Sequence, residues 1–265
     1  MGFDKTVILE QIYKTLSTSV HSMSKKVINQ NTNYESELLS SIESNFIFDE
    51  NPINRLKNIA NNLNEGNGAD NNDKERELNE LKLQINSIIN CDLKNNSKKI
   101  VLGDGNINSP IMLVGESPGM KEDSSGLTFL GEAGDLLKKM LKAINIRKEN
   151  IYSTYAVNFR PPEDRKPTPK EIKRYSQFLQ KQISIIKPKL IILMGSTAME
   201  SLTGLNSKIS TERGKWKEVI VQNTTYSIII TFNPSYLLRV PENKKYSWAD
   251  LKKIKQKIID LKLNI

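Results

Sequence analysis

From Ile100 onward, short apolar runs alternate with longer segments in which apolar residues recur every three or four positions. The short runs are typical of buried strands and the longer segments of amphipathic helices. The predicted strands are Pro110–Gly115, Asn150–Val157, Lys189–Gly195, Lys217–Val221 and Tyr226–Phe232. The predicted helices are Gly131–Ile144, a long helix after Thr168, a short helix from Ser196 to Gly204, and Tyr246–Leu261. This alternation predicts an α/β fold, a three-layer α/β/α arrangement around a central, mainly parallel sheet.

The long helix has a clear start signal. Thr168 and Glu171 stand three residues apart, which is the spacing of a capping box, and Pro169 between them suits the first helical position. We therefore expect this helix to begin directly after Thr168.

The first ninety residues have a different pattern. Val7–Leu16 and Lys74–Ile89 have apolar residues at helical spacing, and each predicts a short helix. Asn61–Asp73 has no period and few apolar residues, so it is predicted to be a disordered linker. We expect residues 1–90 to form an N-terminal extension of short helices and linker, and residues 91–265 to form the α/β domain.

Charge is distributed unevenly between these regions. Residues 1–99 contain 12 of the 39 Lys and Arg residues and 14 of the 30 Asp and Glu residues, a net charge of −2. Residues 100–265 contain the other 27 basic and 16 acidic residues, a net charge of +11. A basic domain favours a polyanionic partner such as nucleic acid. The alternative is a bias of composition, because Lys, Asn and Ile are abundant throughout the chain.

Several classes of protein are disfavoured. No window approaches the roughly 18 apolar residues of a membrane helix, and the N-terminus, MGFDKTVILEQIYKTL, carries early acidic residues that argue against a signal peptide. Cys91 is the only cysteine, so no disulfide forms within the chain. His21 is the only histidine and lies in a polar stretch, so we expect no metal site there.

Candidate chemistry lies where predicted strands end. Glu116 follows the strand Pro110–Gly115 in a sharp turn, VGESPG, and a carboxylate at that place can hold a water or a sugar. Phe129, in GLTFLGEAG, is a natural platform for a flat base, although packing within the loop is the better explanation if this motif is taken alone. The loop FRPPEDRKPTP is stiffened by prolines and offers cations suited to phosphates. Asn233 follows the last apolar strand, where the chain breaks into Asn-Pro-Ser.

Six motifs then occur in order: GESPG (115–119), FLGEAGDLL (129–137), RPPEDRKPTP (160–169), MGSTA (194–198), RGKW (213–216) and NPSYLLR (233–239). Each motif is modest by itself, but their order is specific. The chain resembles the type-4 uracil-DNA glycosylases of the uracil-DNA glycosylase superfamily, in particular variants with a long N-terminal extension. The resemblance covers about residues 90–257.

This resemblance implies hydrolysis of the N-glycosidic bond between uracil, or a related deaminated base, and deoxyribose, after the base has left the stack. It implies that Glu116 and Asn233 are catalytic. The residues it implies for binding the base are Gly115, Ser117, Phe129 and Tyr155. The residues it implies for binding DNA are Arg160, Arg165, Lys166, Ser235, Tyr236, Leu237, Leu238 and Arg239, with Tyr236, Leu237 and Leu238 as candidate wedges in the duplex. It also implies DNA containing uracil as partner and a cytoplasmic (nucleoid) location, and we expect a monomer with no membrane association.

Three positions depart from the family pattern. Asn233 replaces a histidine that donates to the uracil oxygen that gains charge, and losing a strong donor there commonly costs about 100- to 1,000-fold in rate. Tyr155 replaces the asparagine that reads uracil, and Asn158, three residues further along the strand, is expected on the opposite face. Of the four cysteines that hold the family's iron–sulfur cluster, only Cys91 remains, while Ile88 and Phe159 occupy two other ligand positions. We therefore expect neither a cluster nor any other cofactor, and no metal.

Two functional hypotheses remain open. The chain is a working glycosylase, or it is a catalytically weak or inactive relative that binds DNA. An unrelated α/β nucleotide-binding or hydrolase domain fits the six ordered motifs poorly, and covalent trapping by a loop histidine is excluded because His21 lies far upstream. The position of Tyr155 discriminates between the two hypotheses. If Tyr155 lies beside Phe129, uracil does not fit in the family's manner, and if Tyr155 points into the core, a pocket survives.

Overall fold

A six-stranded sheet forms the centre of the computed structural model, which describes residues 71–265. The strands are β1 (Asp104–Gly105), β2 (Ile111–Gly115), β3 (Tyr152–Tyr155), β4 (Leu190–Met194), β5 (Trp216–Val221) and β6 (Thr224–Thr231). Their order in the sheet is β1-β3-β2-β4-β6-β5. The four central strands β3, β2, β4 and β6 are parallel, and the two edge strands β1 and β5 are antiparallel to their neighbours.

Nine α-helices surround this sheet in the described part of the chain. They are α1 (Asn71–Asn86), α2 (Asp92–Asn96), α3 (Met120–Ser125), α4 (Gly131–Lys142), α5 (Pro169–Ile186), α6 (Ser196–Thr203), α7 (Ile209–Glu212), α8 (Pro234–Arg239) and α9 (Lys244–Asp260). Short 3-10 turns occupy Lys148–Asn150, Pro162–Asp164 and Pro241–Asn243.

Both faces of the sheet are buried. Every residue of β2, β3 and β4 is buried, which is expected for central parallel strands covered on both sides. On one face, side chains from α1, α5 and α6 pack on alternate strand residues such as Val114 and Leu193. On the other face, side chains from α4, α8 and α9 pack on the intervening residues such as Leu113 and Ile192. The alternation of side chains along each strand thus divides the core into two layers.

The predicted α/β fold with a mainly parallel sheet is confirmed. Within residues 71–265, the predicted strands and helices occur with bounds that differ by no more than three residues. The described elements that escaped prediction, such as β1, α2, α3 and α8, are two to six residues long. Such elements are too short to show a period. Residues 71–73, predicted as the end of a linker, instead form the first turn of α1.

The division of the chain at residue 90 stays a prediction. Helix α1 precedes that boundary, yet its residues Leu78, Leu81 and Ile85 are buried in the same core layer as α5. The predicted helix Val7–Leu16, His21 and residues 61–70 of the predicted linker lie outside the described residues.

The capping box at the start of α5 forms as the sequence predicts. The Thr168 backbone N–H donates to Glu171 Oε2 at 2.7 Å, and the Glu171 N–H donates to Thr168 Oγ1 at 3.3 Å. Arg165 adds two hydrogen bonds to the same carboxylate, at 2.9 and 2.7 Å. These bonds, from Arg165 above all, lower the pKa of Glu171 from its ordinary value of 4.5 to about 2.

We predict a pH-dependent loss of stability in Glu171→Gln. A glutamine keeps the capping box but loses the charge that Arg165 binds. Because the folded pKa of Glu171 is depressed, its charge stabilises the fold above pH 4.5, and this contribution is lost as the pH falls towards 2. Denaturant titrations should therefore show wild type more stable than Glu171→Gln at pH 7, with the difference shrinking to nothing near pH 2. A difference that stays constant with pH would contradict this account.

Candidate active site

A large cleft opens where three of the parallel strands end. Its volume is about 1300 Å³, and its walls include the residues that directly follow β2, β4 and β6. They are Glu116 after β2, Gly195 after β4, and Phe232 and Asn233 after β6. Parallel strands place their carboxyl ends at one edge of the sheet, so three segments distant in sequence supply side chains to one site.

Glu116 is held by a buried hydroxyl. Thr197, fully buried on α6, donates from Oγ1 to Glu116 Oε2 at 2.7 Å. Glu116 itself is half-buried and lines the cleft. Since Thr197 cannot move within the packed helix, this hydrogen bond fixes the direction in which the carboxylate points.

The two ends of the Asn233 side-chain amide have different roles. Its Oδ1 accepts a hydrogen bond from the Ser235 backbone N–H at 2.9 Å, so Asn233 is the N-cap of α8. The capping bond assigns the orientation of the amide. The remaining end is the Nδ2 amino group, which lies beside Gly195, where an added Cβ would be 3.7 Å from Nδ2. Asn233 therefore presents N–H donors at the wall of the cleft.

The loop that carries Phe129 is fixed by three consecutive backbone hydrogen bonds. The N–H of Thr128 donates to Asp104 at 2.6 Å, that of Phe129 to the Tyr155 hydroxyl at 2.8 Å, and that of Leu130 to Glu122 at 2.8 Å. Phe129 has a φ of +52°, a left-handed conformation that is uncommon for a bulky residue. The three bonds hold the loop in this strained shape.

Two glycines of the motifs are required by close packing. A Cβ at Gly134 would lie 1.9 Å from the Phe129 carbonyl oxygen, so the first turn of α4 tolerates no side chain there. A Cβ at Gly115 would lie 2.7 Å from the Phe129 ring and 2.8 Å from the Tyr155 ring. Gly115 thus lies against both rings, and its contact with the base stays a prediction.

Tyr155 lies beside Phe129 and lines the same cleft. The ring centroids are 4.9 Å apart at an angle of 38°, and both residues are buried. Burial, and then the charge of Glu122, raise the pKa of the Tyr155 phenol, so it stays protonated. Its hydroxyl accepts the Phe129 backbone N–H at 2.8 Å, and the Glu122 carboxylate lies near it. Of the two positions considered from sequence, Tyr155 has the one beside Phe129, and its buried ring also belongs to the core layer on that face of the sheet.

Glu122 connects the two loops of the site. It is 8% exposed and accepts hydrogen bonds from the backbone N–H groups of Gly119, at 3.1 Å, and Leu130, at 2.8 Å. These two hydrogen bonds compensate the burial of the carboxylate. It therefore fixes the turn after Glu116 against the loop of Phe129.

The opposite wall of the cleft rests on a buried ion pair. Arg213 and Asp250 form two hydrogen bonds, and Thr231 Oγ1 donates to the same carboxylate at 2.9 Å. The Arg213 guanidinium lies 5.5 Å from the centre of the Phe232 ring and 5.3 Å from that of Tyr246. Burial raises the pKa of Asp250, while Arg213 and Thr231 oppose this shift. The pair joins α9 to the end of β6, directly before Asn233.

The cations of the proline-rich loop are largely paired within the protein. Arg160 donates to both oxygens of Asp164, at 2.6 and 2.9 Å, and Arg165 is bound to Glu171. Lys166 lines the cleft and donates to Ser196 Oγ at 2.9 Å. Of the three, only Lys166 lines the cleft, and contacts of Arg160 and Arg165 with phosphate would compete with their ion pairs.

The residues of helix α8 that were predicted to contact DNA lie in three different environments, the cleft, the surface and the core. Ser235, Tyr236 and Arg239 line the cleft, and Leu238 is exposed. Leu237 is only 1% exposed and packs in the core, so it is not carried forward as a wedge. Ser117 also lines the cleft, whereas Asn158 is buried and donates from Nδ2 to Val101 O, away from the site.

Sequence reasoning missed four side chains that shape the site: Asp104, Glu122, Thr197 and Asp250. Glu122 and Thr197 carried local signals, because Glu122 follows Gly119 at capping-box spacing and Thr197 lies inside the motif MGSTA. Asp104 and Asp250 had none, since each reaches partners 19 or more residues away.

The side chains present do not fit an iron–sulfur cluster. The sequence has one cysteine, whereas a cluster of this kind needs four thiolates. Cys91 is buried, and its Sγ lies 3.3 Å from the Tyr175 hydroxyl. Phe159 is buried in the same core layer, and Ile88 packs against it. Within residues 71–265, no group of three or more His, Cys, Asp or Glu residues is arranged to hold a metal ion, and no helix is long and apolar enough to span a membrane.

Comparison with known proteins gives a consistent result. Residues 102–254 match the family model of the uracil DNA glycosylase superfamily. The type-4 uracil-DNA glycosylase of Archaeoglobus fulgidus is 34% identical over 181 residues, which cover 67% of this chain and 91% of that protein. The enzymes of the same name from Thermotoga maritima and Pyrobaculum aerophilum are 39% and 32% identical, over 58% and 62% of this chain and 79% and 86% of the relatives.

We predict that Glu122→Gln loosens the Phe129 loop. An amide has one acceptor oxygen, and its amino group would face backbone N–H donors, so at least one buried N–H loses its partner. The free energy of unfolding should fall by about 1–3 kcal/mol. Amide hydrogen exchange should accelerate at Gly119 and Leu130. Glu132→Gln, at an exposed carboxylate of the same cleft, is the control and should change neither quantity. Unchanged exchange in Glu122→Gln would refute the assigned role.

Proposed function

This chain belongs to the uracil DNA glycosylase superfamily, and we propose that it excises uracil, or a related deaminated base, from DNA by hydrolysing the N-glycosidic bond. One observation carries the proposal: a fixed carboxylate, Glu116, and an amide donor, Asn233, line the same cleft at the carboxyl ends of β2 and β6. The Glu116 carboxylate suits the positive charge that develops on the sugar, and the Asn233 amide donor suits the negative charge that develops on the base.

The reaction separates charge along the bond that breaks. As the bond from C1′ to N1 breaks, its electron pair stays with the base, and the sugar becomes oxocarbenium-like. Glu116 stabilises the positive sugar and accepts a proton from the water that attacks C1′. The hydroxyl of Thr197 keeps the carboxylate oriented, so little reorganisation is needed when charge develops.

Asn233 acts on the leaving base. The Nδ2 amino group donates a hydrogen bond to the pyrimidine oxygen on which negative charge collects. Because Oδ1 is held by the N-cap bond to Ser235, the donor end of the amide is preorganised. A neutral amide polarises less than a histidine, so we propose a slower reaction than in relatives that have histidine at this position.

DNA is the partner that the basic domain favours. We propose that Lys166, Ser235 and Arg239, which line the cleft, contact phosphates, and that Tyr236 and exposed Leu238 contact an opened base step. The base must leave the helix, because the carboxylate lies inside the cleft. We propose that the chain acts as a monomer on DNA of the cytoplasm or nucleoid.

A second candidate function is supported by Tyr155. Its ring packs on Phe129, so no amide at this position reads the base. Such a chain can retain the fold and the DNA-binding surface while it excises bases weakly or not at all. The proposal is then a DNA-binding relative of the glycosylases.

The proposed function predicts that wild type excises uracil and that Glu116→Gln does not. Glutamine has nearly the same shape and still accepts the Thr197 hydroxyl, but it neither carries the charge nor takes the proton. Single-turnover assays with protein in excess, on single-stranded DNA with one uracil, should show abasic product with wild type and a rate reduced by about 100-fold or more with the variant. No product from wild type, with binding that weakens as salt rises, would reject excision in favour of the DNA-binding relative.

We predict that Asn233→Asp separates the two functions of this residue. Aspartate caps α8 as well as asparagine does, so thermal stability should be unchanged. It has no N–H donor and places a negative charge beside the developing anion, so the excision rate should fall by about 100- to 1,000-fold. Asn233→Ala should lose both activity and about 1 kcal/mol of stability. Full activity in Asn233→Asp would remove Asn233 from the mechanism.

A further inference from the structure

Tyr155 and Phe129 leave no space for a base between them. A flat base between two rings needs two stacking steps of about 3.4 Å, or roughly 7 Å between the rings. The observed centroid separation is 4.9 Å. Phe129 is only 5% exposed and Tyr155 only 4%, so neither ring offers an open face. The position on Phe129 is therefore already filled by another flat ring.

The Tyr155 hydroxyl also fills the hydrogen-bonding positions around this ring. It accepts the Phe129 backbone N–H at 2.8 Å, and, after burial, the nearby Glu122 carboxylate, which binds the next N–H along the chain, helps to raise the pKa of the phenol. A molecule that replaces the phenol must offer an acceptor to the Phe129 N–H and must face the nearby carboxylate with a donor and not with a second acceptor. Otherwise buried groups lose their partners.

A carbonyl next to a ring N–H provides this pair. Uracil has it at O4 and N3–H, and hypoxanthine at O6 and N1–H. Deamination is the reaction that creates the arrangement, since it converts an amino group beside an unprotonated ring nitrogen into a carbonyl beside an N–H. Cytosine lacks a ring N–H on this edge, and its ring nitrogen would face the Glu122 carboxylate, acceptor against acceptor.

We propose that the Tyr155 side chain is an internal stand-in for a deaminated base, occupying the Phe129 face together with the Phe129 N–H and the Glu122 carboxylate until a base displaces it. Glu122 and the Phe129 N–H then read the base in place of the side chain at position 155. This inference rests on the proposed function, because it assigns the ligand of the same pocket. The cleft of about 1300 Å³ directly adjoining Tyr155 gives the displaced ring a place to go.

The strand and the loop around Tyr155 remain when its ring is removed. Asp104 and Glu122 still bind the N–H groups of Thr128 and Leu130, so the loop keeps two of its three fixed points. Tyr155→Ala therefore empties the position on Phe129 and leaves its walls in place. Tyr155→Phe keeps the ring and removes only the hydroxyl.

Binding of the free bases uracil and cytosine tests the proposal directly. Isothermal titration of the full chain should show that Tyr155→Ala binds uracil roughly tenfold or more tightly than wild type does, and more tightly than it binds cytosine. Tyr155→Phe should bind uracil no better than wild type, because its ring still covers Phe129. Tyr152→Phe, which removes a buried hydroxyl from the same strand outside the cleft, is the matched control and should behave as wild type.

Equal uracil binding by wild type and Tyr155→Ala would overturn the proposal, and so would equal gains for uracil and cytosine. If Tyr155→Ala does not fold, Tyr155→Val, which leaves a smaller void and adds no polar group that could read the base, is measured with the same criteria. Excision assays in parallel separate this inference from the proposed function. A gain in uracil binding without excision by any variant would reject the glycosylase and retain the stand-in. Excision by wild type, with uracil binding unchanged in the variants, would retain the glycosylase and reject the stand-in.

Discussion

Three consecutive backbone N–H groups, those of residues 128–130, determine the arrangement of the site. Each donates to a side-chain oxygen from a different part of the fold: Asp104 in β1, Tyr155 at the end of β3 and Glu122 in α3. Together they hold Phe129 at a positive φ, which an isolated loop would not keep. Because two of the acceptors are themselves buried, a change at one of them affects the platform, the first turn after β2 and the start of α4 together.

The chemistry of the cleft depends on groups that have a structural and a functional role at once. Asn233 caps α8 with its oxygen and presents its amino group to the cleft, and Glu116 is oriented by the buried Thr197. Such sharing makes the site rigid, and rigidity is what electrostatic stabilisation of a charged transition state requires. Asparagine is among the preferred N-cap residues, so one side chain can serve both roles here.

The other core layer packs around the single cysteine of the chain. Cys91, Phe159 and Tyr175 form a continuous buried group with α1, and Tyr175 lies close to the remaining thiol. Apolar burial of this kind stabilises by roughly 25 cal/mol per Å² of apolar surface. The layer lies on the opposite face of the sheet from α4 and α8, so its repacking leaves the walls of the cleft intact.

The sequence by itself determined the order of strands and helices, the capping box of α5 and the placement of Glu116 and Asn233 at strand ends, because each depends on residues within one or two turns or one strand of each other. It also identified Tyr155 as a position at which this chain departs from the family pattern. Only the tertiary structure decided that Tyr155 covers Phe129, that Leu237 belongs to the core, and that Arg160 and Arg165 are paired with acidic residues. Asp104, Glu122 and Asp250 became part of the site only through folding. The physical reason is that these contacts join segments that are distant in sequence and are brought together by strand pairing and helix packing. A local pattern of residues does not encode which of several competing partners a side chain will contact.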